Sequence, residues 1–373
     1  MTREERLQDG IGLALSGGGF RATLFHLGSL WRINELGLLK KINRICSVSG
    51  GSITAGILGH RWIRLTFDDN GVAVNFVKEI AEPLRSFCSL DIDVSAITAG
   101  VLSIVRSVSD MVIDKYRKYL FGDATLQDLP CDEKGPRFII YATNLQTGAS
   151  VRFSKPYMAD YRIGELTTPY VPLAVAVAAS SAFPPSLSPV ILRTDVNKWK
   201  ETEGADLFGD QEFRSALHLT DGGVYDNLGL EAVWNRYRTI LVSDAGAPLK
   251  PEPDPSSWWH NQLLRALGII TEQTRALRKR RLVEEFTQGE RAGTYWGIKT
   301  HINDYKLPDS MISDNGLTGS LHQIRTRLNR FSEEEQGHLI NWGYALTDTA
   351  LRRHVLGEGT PKGNWPIPEY PLA

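Results

Sequence analysis

Three cysteines, four methionines and no apolar run of ~20 residues are what this 373-residue chain has little of. Cys46, Cys88 and Cys131 allow one bridge at most and leave one thiol over. That excludes a disulfide scaffold and points to a reducing, cytoplasmic compartment. The best candidate for a membrane span, Tyr170 to Phe183, is too short and runs into Pro184-Pro185, so no spanning helix is expected. The opening residues, MTREERLQDG, are charged and lack the apolar stretch of a secretory leader. An excess of charge of one sign is missing too. Lys plus Arg number 42 and Asp plus Glu 43, a formal net charge of −1, so no global field steers the chain toward nucleic acid. No Cys/His group has zinc spacing and no EF-hand loop occurs, so neither a metal nor a cofactor is expected.

What the chain has is ample apolar sequence, 42% of residues, and a small surplus of glycine. The 34 glycines make about 9% of the chain against about 7% in average usage. The length suits one large domain or two smaller ones. Ile11 to Leu15 is a short apolar run that reads as a buried strand, closed by Ser16-Gly17-Gly18-Gly19. Ala22 to Leu39 follows at helical spacing. The pattern repeats with Ile42 to Val48 as a strand, Ser49-Gly50-Gly51-Ser52 as a turn and Ile53 to Leu65 as a helix. Phe138 to Thr143 is a third strand, with Val151 to Phe153 as its antiparallel return. Residues 171–179, VPLAVAVAA, read as a helix, 194–214 as a polar excursion, Leu228 to Tyr237 as a helix and Thr239 to Val242 as a strand. Alternation of this kind predicts a layered α/β fold around a mostly parallel sheet. Pro251 to Pro255 marks a linker. Beyond it Trp258 to Phe286 and Ser332 to Val355 look helical, and the tail PKGNWPIPEYPLA reads as an extended arm.

Three glycine turns carry the chemistry. Ser47-Val48-Ser49-Gly50-Gly51 nearly matches G-x-S-x-G, which sets a serine on a sharp strand-to-helix turn with its hydroxyl exposed at a helix N-terminus. Ser47 replaces the usual first glycine. Gly17-Gly18-Gly19-Phe20-Arg21 can aim successive N–H groups at one anion. The stretch Gly17 to Ala22 also fits the relaxed dinucleotide pattern G-x-G-x-x-G/A. That pattern expects a carboxylate after the second strand, and none follows Val48. Asp221-Gly222-Gly223 sets an aspartate at a strand end beside residues that cannot crowd it. Each turn alone is an ordinary loop signal.

In this order the three turns resemble the patatin-like phospholipases, which carry G-G-G-x-[RK], then G-x-S-x-G, then D-G-[GA]. Thr125 to Leu129, Ala142 to Gly148 and Ala179 to Pro185 are similar to the family's middle segments, and the likeness covers roughly residues 10–247. The resemblance implies a three-layer α/β/α catalytic domain over residues 10–250. Residues 251–373 are then a helical extension and proline-rich tail packed on the core. It implies Ser49 as nucleophile and Asp221 as its base, with no histidine needed. It implies an oxyanion site from Gly17, Gly18 and Gly19, with Arg21, Gly51, Gly222 and Gly223 in support. Arg21 braces the glycine loop or meets an anionic headgroup. The substrate implied is membrane or micellar lipid, met peripherally. Two alternatives stay open: an acyltransferase with the same dyad, and a nucleotide- or anion-binding regulator without hydrolysis. His26, His60 and His218 read as structural, His218 facing away from Asp221 by strand alternation. Three further segments have two readings each. Ile97 to Val108 is a lid or a packing helix, Arg275 to Arg281 a lipid-facing basic cluster or a solvated face, and Trp258-Trp259 an interfacial anchor or a packing contact.

Overall fold

Period-two burial builds the centre of the molecule. In the computed structural model, which describes residues 7–92, 107–246 and 248–373, the central strands send alternate side chains into two separate cores. Leu13, Leu15, Ile45, Ile140 and Leu241 enter the larger one. Ala14, Cys46, Val48, Ile139, Ile240 and Val242 enter the other. Both faces are covered, which is why these strands read as continuous apolar runs.

The strands are β1 (Gln8–Leu15), β2 (Ile42–Val48), β3 (Arg137–Asn144), β4 (Ser150–Phe153), β5 (Tyr157–Asp160), β6 (Gly164–Thr167), β7 (Val190–Arg193), β8 (Trp199–Lys200), β9 (Ala216–Asp221), β10 (Tyr237–Asp244) and β11 (Ala292–Gly297). They form one mixed sheet in the order β11-β10-β1-β2-β3-β4-β5-β6-β8, with β9 on β3 and β7 on β9. The expected parallel arrangement holds for β11, β10, β1, β2 and β3. From β3 outward every pairing is antiparallel, including the expected return of β4. Apart from β4 and the end of β9, this wing was not readable as strands, because its members are two to six residues long.

The longer helices are α1 (Gly19–Glu35), α2 (Gly50–Arg61), α3 (Glu82–Cys88), α4 (Val108–Tyr116), α5 (Leu173–Ser180), α6 (Trp259–Thr287) and α7 (Glu333–Leu351). The helix expected over Leu228 to Tyr237 shrinks to Glu231–Trp234, because Tyr237 already pairs in β10 beside Gln8. Residues after 250, read as helical, also supply β11, which extends the sheet beside β10. Their second helix, α7, packs along α1. Gly28 and Gly343 permit that crossing: a Cβ at Gly28 would lie 1.9 Å from the Ile340 carbonyl, and one at Gly343 2.0 Å from that of Phe25. The proline-rich tail is not a simple extended arm: it turns at Ile367 to Tyr370 and is held on α7, where the Asn341 side chain donates to the Ile367 and Tyr370 carbonyls at 2.8 and 2.7 Å. Residues 97–106, most of the Ile97 to Val108 segment, lie outside the described residues. No described helix is long and apolar enough to cross a membrane.

Candidate active site

Two strand ends meet head-on beside β3. β2 pairs with Arg137 to Tyr141 and ends at Val48 opposite Tyr141. β9 runs the other way along the same edge of β3, and its last residue, Asp221, sits opposite Ala142. The other edge of this stretch is taken by β4. Val48 and Asp221 are therefore one rung apart on the same side, a strand step of roughly 3.3 Å. Ser49, the next residue after β2, is delivered to the Asp221 carboxyl by sheet register. The register joins residues 172 positions apart, which no local pattern announces.

Ser49 has φ 51° and ψ −120°, on the left-handed side that β-carbon residues avoid, at a cost of about 1–3 kcal/mol. Neighbours fix the turn. The Ser49 N–H donates to Ser180 Oγ at 2.9 Å, and Ser180 Oγ lies 2.8 Å from Ser52 Oγ. Behind them Ser52 donates to Ser47 Oγ at 3.0 Å, which gives the serine at the motif's first position a buried partner. Asp221 is fastened through its backbone. Its N–H donates to the Ala182 carbonyl at 3.0 Å, and its carbonyl accepts from Thr143 Oγ1 at 2.9 Å.

The Asp221 carboxyl is buried and accepts from the Gly223 N–H at 2.7 Å and from the Ser49 side chain. Burial pushes its pKa up from 3.8 to about 6, and those two hydrogen bonds hold back part of the rise. Among the described residues no cation is paired with it.

The glycine turn brings a second helix start to the same place. α1 begins at Gly19 and α2 at Gly50, and a Cβ on Gly50 would lie 2.0 Å from the Gly19 carbonyl, so the two N-termini touch. Their dipoles favour negative charge there. The Gly17 N–H is already engaged, donating to the Asn227 carbonyl at 3.0 Å. This corrects the expectation that all three glycines face an oxyanion. The N–H groups of Gly18 and Gly19 have no acceptor among the described residues. Gly51 and Gly222 lie one step behind, against the Leu15, Ser16 and Tyr141 carbonyls.

Arg21 is a brace. Its Nη1 donates to the His322 and Ile324 carbonyls at 2.9 and 2.8 Å, and its Nη2 to the Ala245 carbonyl at 2.7 Å. Burial lowers its pKa to about 10, opposed by Asp244. Those bonds tie the glycine loop to the end of β10 and to residues 322–328. The Phe20 N–H reaches the same segment at Arg327 O, 3.2 Å, and a Cβ on Gly19, whose φ is +57°, would lie 1.6 Å from Thr326 O.

A cleft of about 800 Å³ contains Ser49, Asp221, Gly17 to Gly19 and Gly223. One wall is residues 322–328, and another is the inner face of α6 at Arg265, Gly268, Thr271, Glu272 and Arg275. Phe183, which is exposed, also lines the cleft. Sequence reasoning missed residues 322–328, α6 as a wall, and Asn227. Only Asn227 had a local signal, six residues after Asp221 on the same glycine turn. Of the histidines, His26 is core: burial lowers its pKa to about 4, and its ring nitrogens meet Ser243 Oγ and Ser16 O at 2.8 and 2.9 Å. His218 is outside the cleft lining. In the basic run, Arg275 pairs with Asp244 and Glu272, Arg278 with Asp226 and Arg281 with Glu285, so three of its five basic residues are tied to carboxylates. Among the described residues no group of three or more His, Cys, Asp and Glu could hold a metal ion.

A model of the patatin-like phospholipase family matches residues 13–234. Human GIVD cytosolic phospholipase A2 superposes with a TM-score of 0.50 at 12% identity, covering 95% of this chain and 62% of that one. The same enzyme in complex with methyl gamma-linolenyl fluorophosphonate gives 0.52 at 15% identity, covering 95% and 59%. VipD from Legionella pneumophila gives 0.39 at 16% identity, covering 93% and 67%. At these identities the likeness to the human enzyme speaks for the fold alone, and the chain spans about three-fifths of that enzyme's chain. No curated protein sequence matches the chain.

Proposed function

The chain belongs to the patatin-like phospholipase family, and from that premise we propose that it is a serine lipid acyl hydrolase working through a Ser49–Asp221 dyad. Ser49 Oγ attacks the carbonyl carbon of a fatty acyl ester while Asp221 takes the hydroxyl proton. The C=O electron pair moves onto oxygen, where the N–H groups of Gly18 and Gly19 and the two helix N-termini offset the charge. Collapse expels the alcohol, which leaves with the proton held by Asp221, and forms an acyl-Ser49 ester. Water then attacks that ester, gives a proton to Asp221, and Ser49 recovers it as the fatty acid departs.

One observation carries this reading: a buried aspartate, raised to about 6 and with no paired cation among the described residues, is hydrogen-bonded to a serine held at positive φ. A carboxylate in water is a weak base. Desolvation and a fixed hydroxyl partner are what improve it. The test is release of fatty acid from phosphatidylcholine vesicles by the wild-type chain and Ser49→Ala, with an acceptor alcohol in a parallel arm. Release by the wild type and none above background by Ser49→Ala supports the reading. Equal release by both defeats it, and acyl transfer to the alcohol in place of fatty acid release would assign the chain to acyltransferases.

A further inference from the structure

Helix α6 has two faces with opposite characters. The inner face, Arg265, Gly268, Thr271, Glu272 and Arg275, walls the cleft. The outer face carries Trp259, Leu263, Ile270 and Leu277, which are 74, 63, 62 and 58% exposed. Their spacing of four, seven and seven puts them on one stripe at 100° per residue, ~27 Å long. Trp258, 67% exposed, extends it at the N-terminal end. Between Ser256 and Thr271 only Arg265 is charged, and it turns inward to Glu252 at 2.7 Å. The fully buried residues of α6 are Leu282 and Glu285, both in its last turns. The basic residues gather at that far end, where Arg280 has no carboxylate partner among the described residues. Phe183, another residue of the cleft lining, is itself exposed.

We infer that the outer face of α6 is the element that seats this chain on a phospholipid surface. The inference rests on the lipid hydrolase reading above and names the surface by which that site meets its substrate. A helix whose exposed outer stripe is apolar, with tryptophans at its start and cations toward its end, suits the interface plane, apolar side down. Tryptophan and histidine rings at Trp258 to His260 take the headgroup level, where one end of a ring is dry and the other wet. Leu263, Ile270 and Leu277 enter the acyl boundary, and Arg280 meets anionic headgroups. The same helix walls the cleft, so docking brings the cleft to the bilayer. A lipid can then enter without crossing water. This decides between the two readings of Trp258-Trp259. They are exposed, not packing residues.

The experiment uses the full chain and vesicles of phosphatidylcholine and phosphatidylglycerol, 3:1. Ser49→Ala serves as the parent so that the vesicles are not digested. The parent should float with the vesicles, and Leu263→Glu/Ile270→Glu should lower its partition coefficient about tenfold or more. In the Ser49 background the same pair should cut hydrolysis of vesicle lipid about tenfold, while kcat/KM on a dispersed short-chain ester stays within about twofold. Brominated lipid gives a second readout. It should quench the tryptophan emission of the parent on vesicles, and Trp258→Phe/Trp259→Phe should lose most of that quenching. Flotation of the double glutamate variant equal to the parent overturns the inference. So does a parent that does not float but is a dimer in solution and becomes monomeric in the variant, which would make the stripe a self-interface. A chain that floats and hydrolyses no ester leaves the docking face standing and removes the hydrolase reading instead.

Discussion

Asp348 and Asp221 are both buried aspartates, and they keep different company. Asp348 lies on α7 in its seam with α1, where Arg32 Nη2 is 2.6 Å and Arg352 Nη1 3.3 Å away, and the Gly363 N–H donates at 3.2 Å. Asp221 lies at the end of β9 with a backbone N–H and a serine hydroxyl as its partners. One carboxylate is matched by two cations and serves as a tie in the scaffold. The other has no cation partner among the described residues, and burial raises its proton affinity toward the range where a base is useful. Burial alone does not distinguish structure from chemistry here. The partners do.

The largest expected effect breaks the chemical half of this contrast. Asp221→Asn should lower ester hydrolysis about 10³–10⁴-fold in steady-state assays, because Ser49 loses its base. Activity within tenfold of wild type would show Asp221 to be scaffold as well. Next comes the structural half. Asp348→Ala leaves Arg32 and Arg352 without their shared partner and should reduce stability by about 3–5 kcal/mol in denaturant unfolding.

The sign then reverses at Asp221. Its native pKa, about 6, lies above the unfolded value of 3.8, so its contribution is favourable at low pH and is lost as pH rises between those values. Above about pH 6 the charged form is held against solvation, and Asp221→Asn should raise stability there by up to ~3 kcal/mol. Stabilities of wild type and variant at pH 4 and pH 8 measure this, and destabilisation by the variant at pH 8 counts against an unpaired charge. A smaller effect is kinetic. In the wild type, kcat/KM should rise about tenfold per pH unit below about 6 and level off above it. The smallest belongs to α6: Ile270→Glu should move stability by no more than ~0.5 kcal/mol, as befits an exposed position.

The parts legible in the sequence were those whose signal is local. β1, β2, β3 and β10 announce themselves by apolar runs because both faces of the sheet are covered. The three glycine turns announce themselves because backbone close to an anion or a sharp elbow leaves no room for side chains. Ser49, Asp221, Gly17, Gly18, Gly19 and Gly223 all line one cleft. What was not legible depends on distance along the chain. The meeting of β2 and β9 on one edge of β3 is a matter of register. The closure of the glycine loop by residues 322–328 joins segments some three hundred positions apart. The two long helices after residue 250 are both present as read, and they differ in what they bury. α7 buries Asn341, Thr347, Asp348 and Thr349, each with a partner, while the apolar outer residues of α6 stand in solvent. Residue type alone does not announce the burial of those polar groups, since what permits it is a hydrogen-bond partner.

The central claim is that Ser49 is the nucleophile and Asp221 its base. A fluorophosphonate reports on both, because it reacts only with an activated hydroxyl. Intact-mass spectrometry with peptide mapping on wild type, Ser49→Ala and Asp221→Asn should give a single adduct on the Ser49 peptide. It should be absent from Ser49→Ala and form at least about 10²-fold more slowly in Asp221→Asn. An adduct on another residue, or labelling of Ser49→Ala at the wild-type rate, would contradict the account.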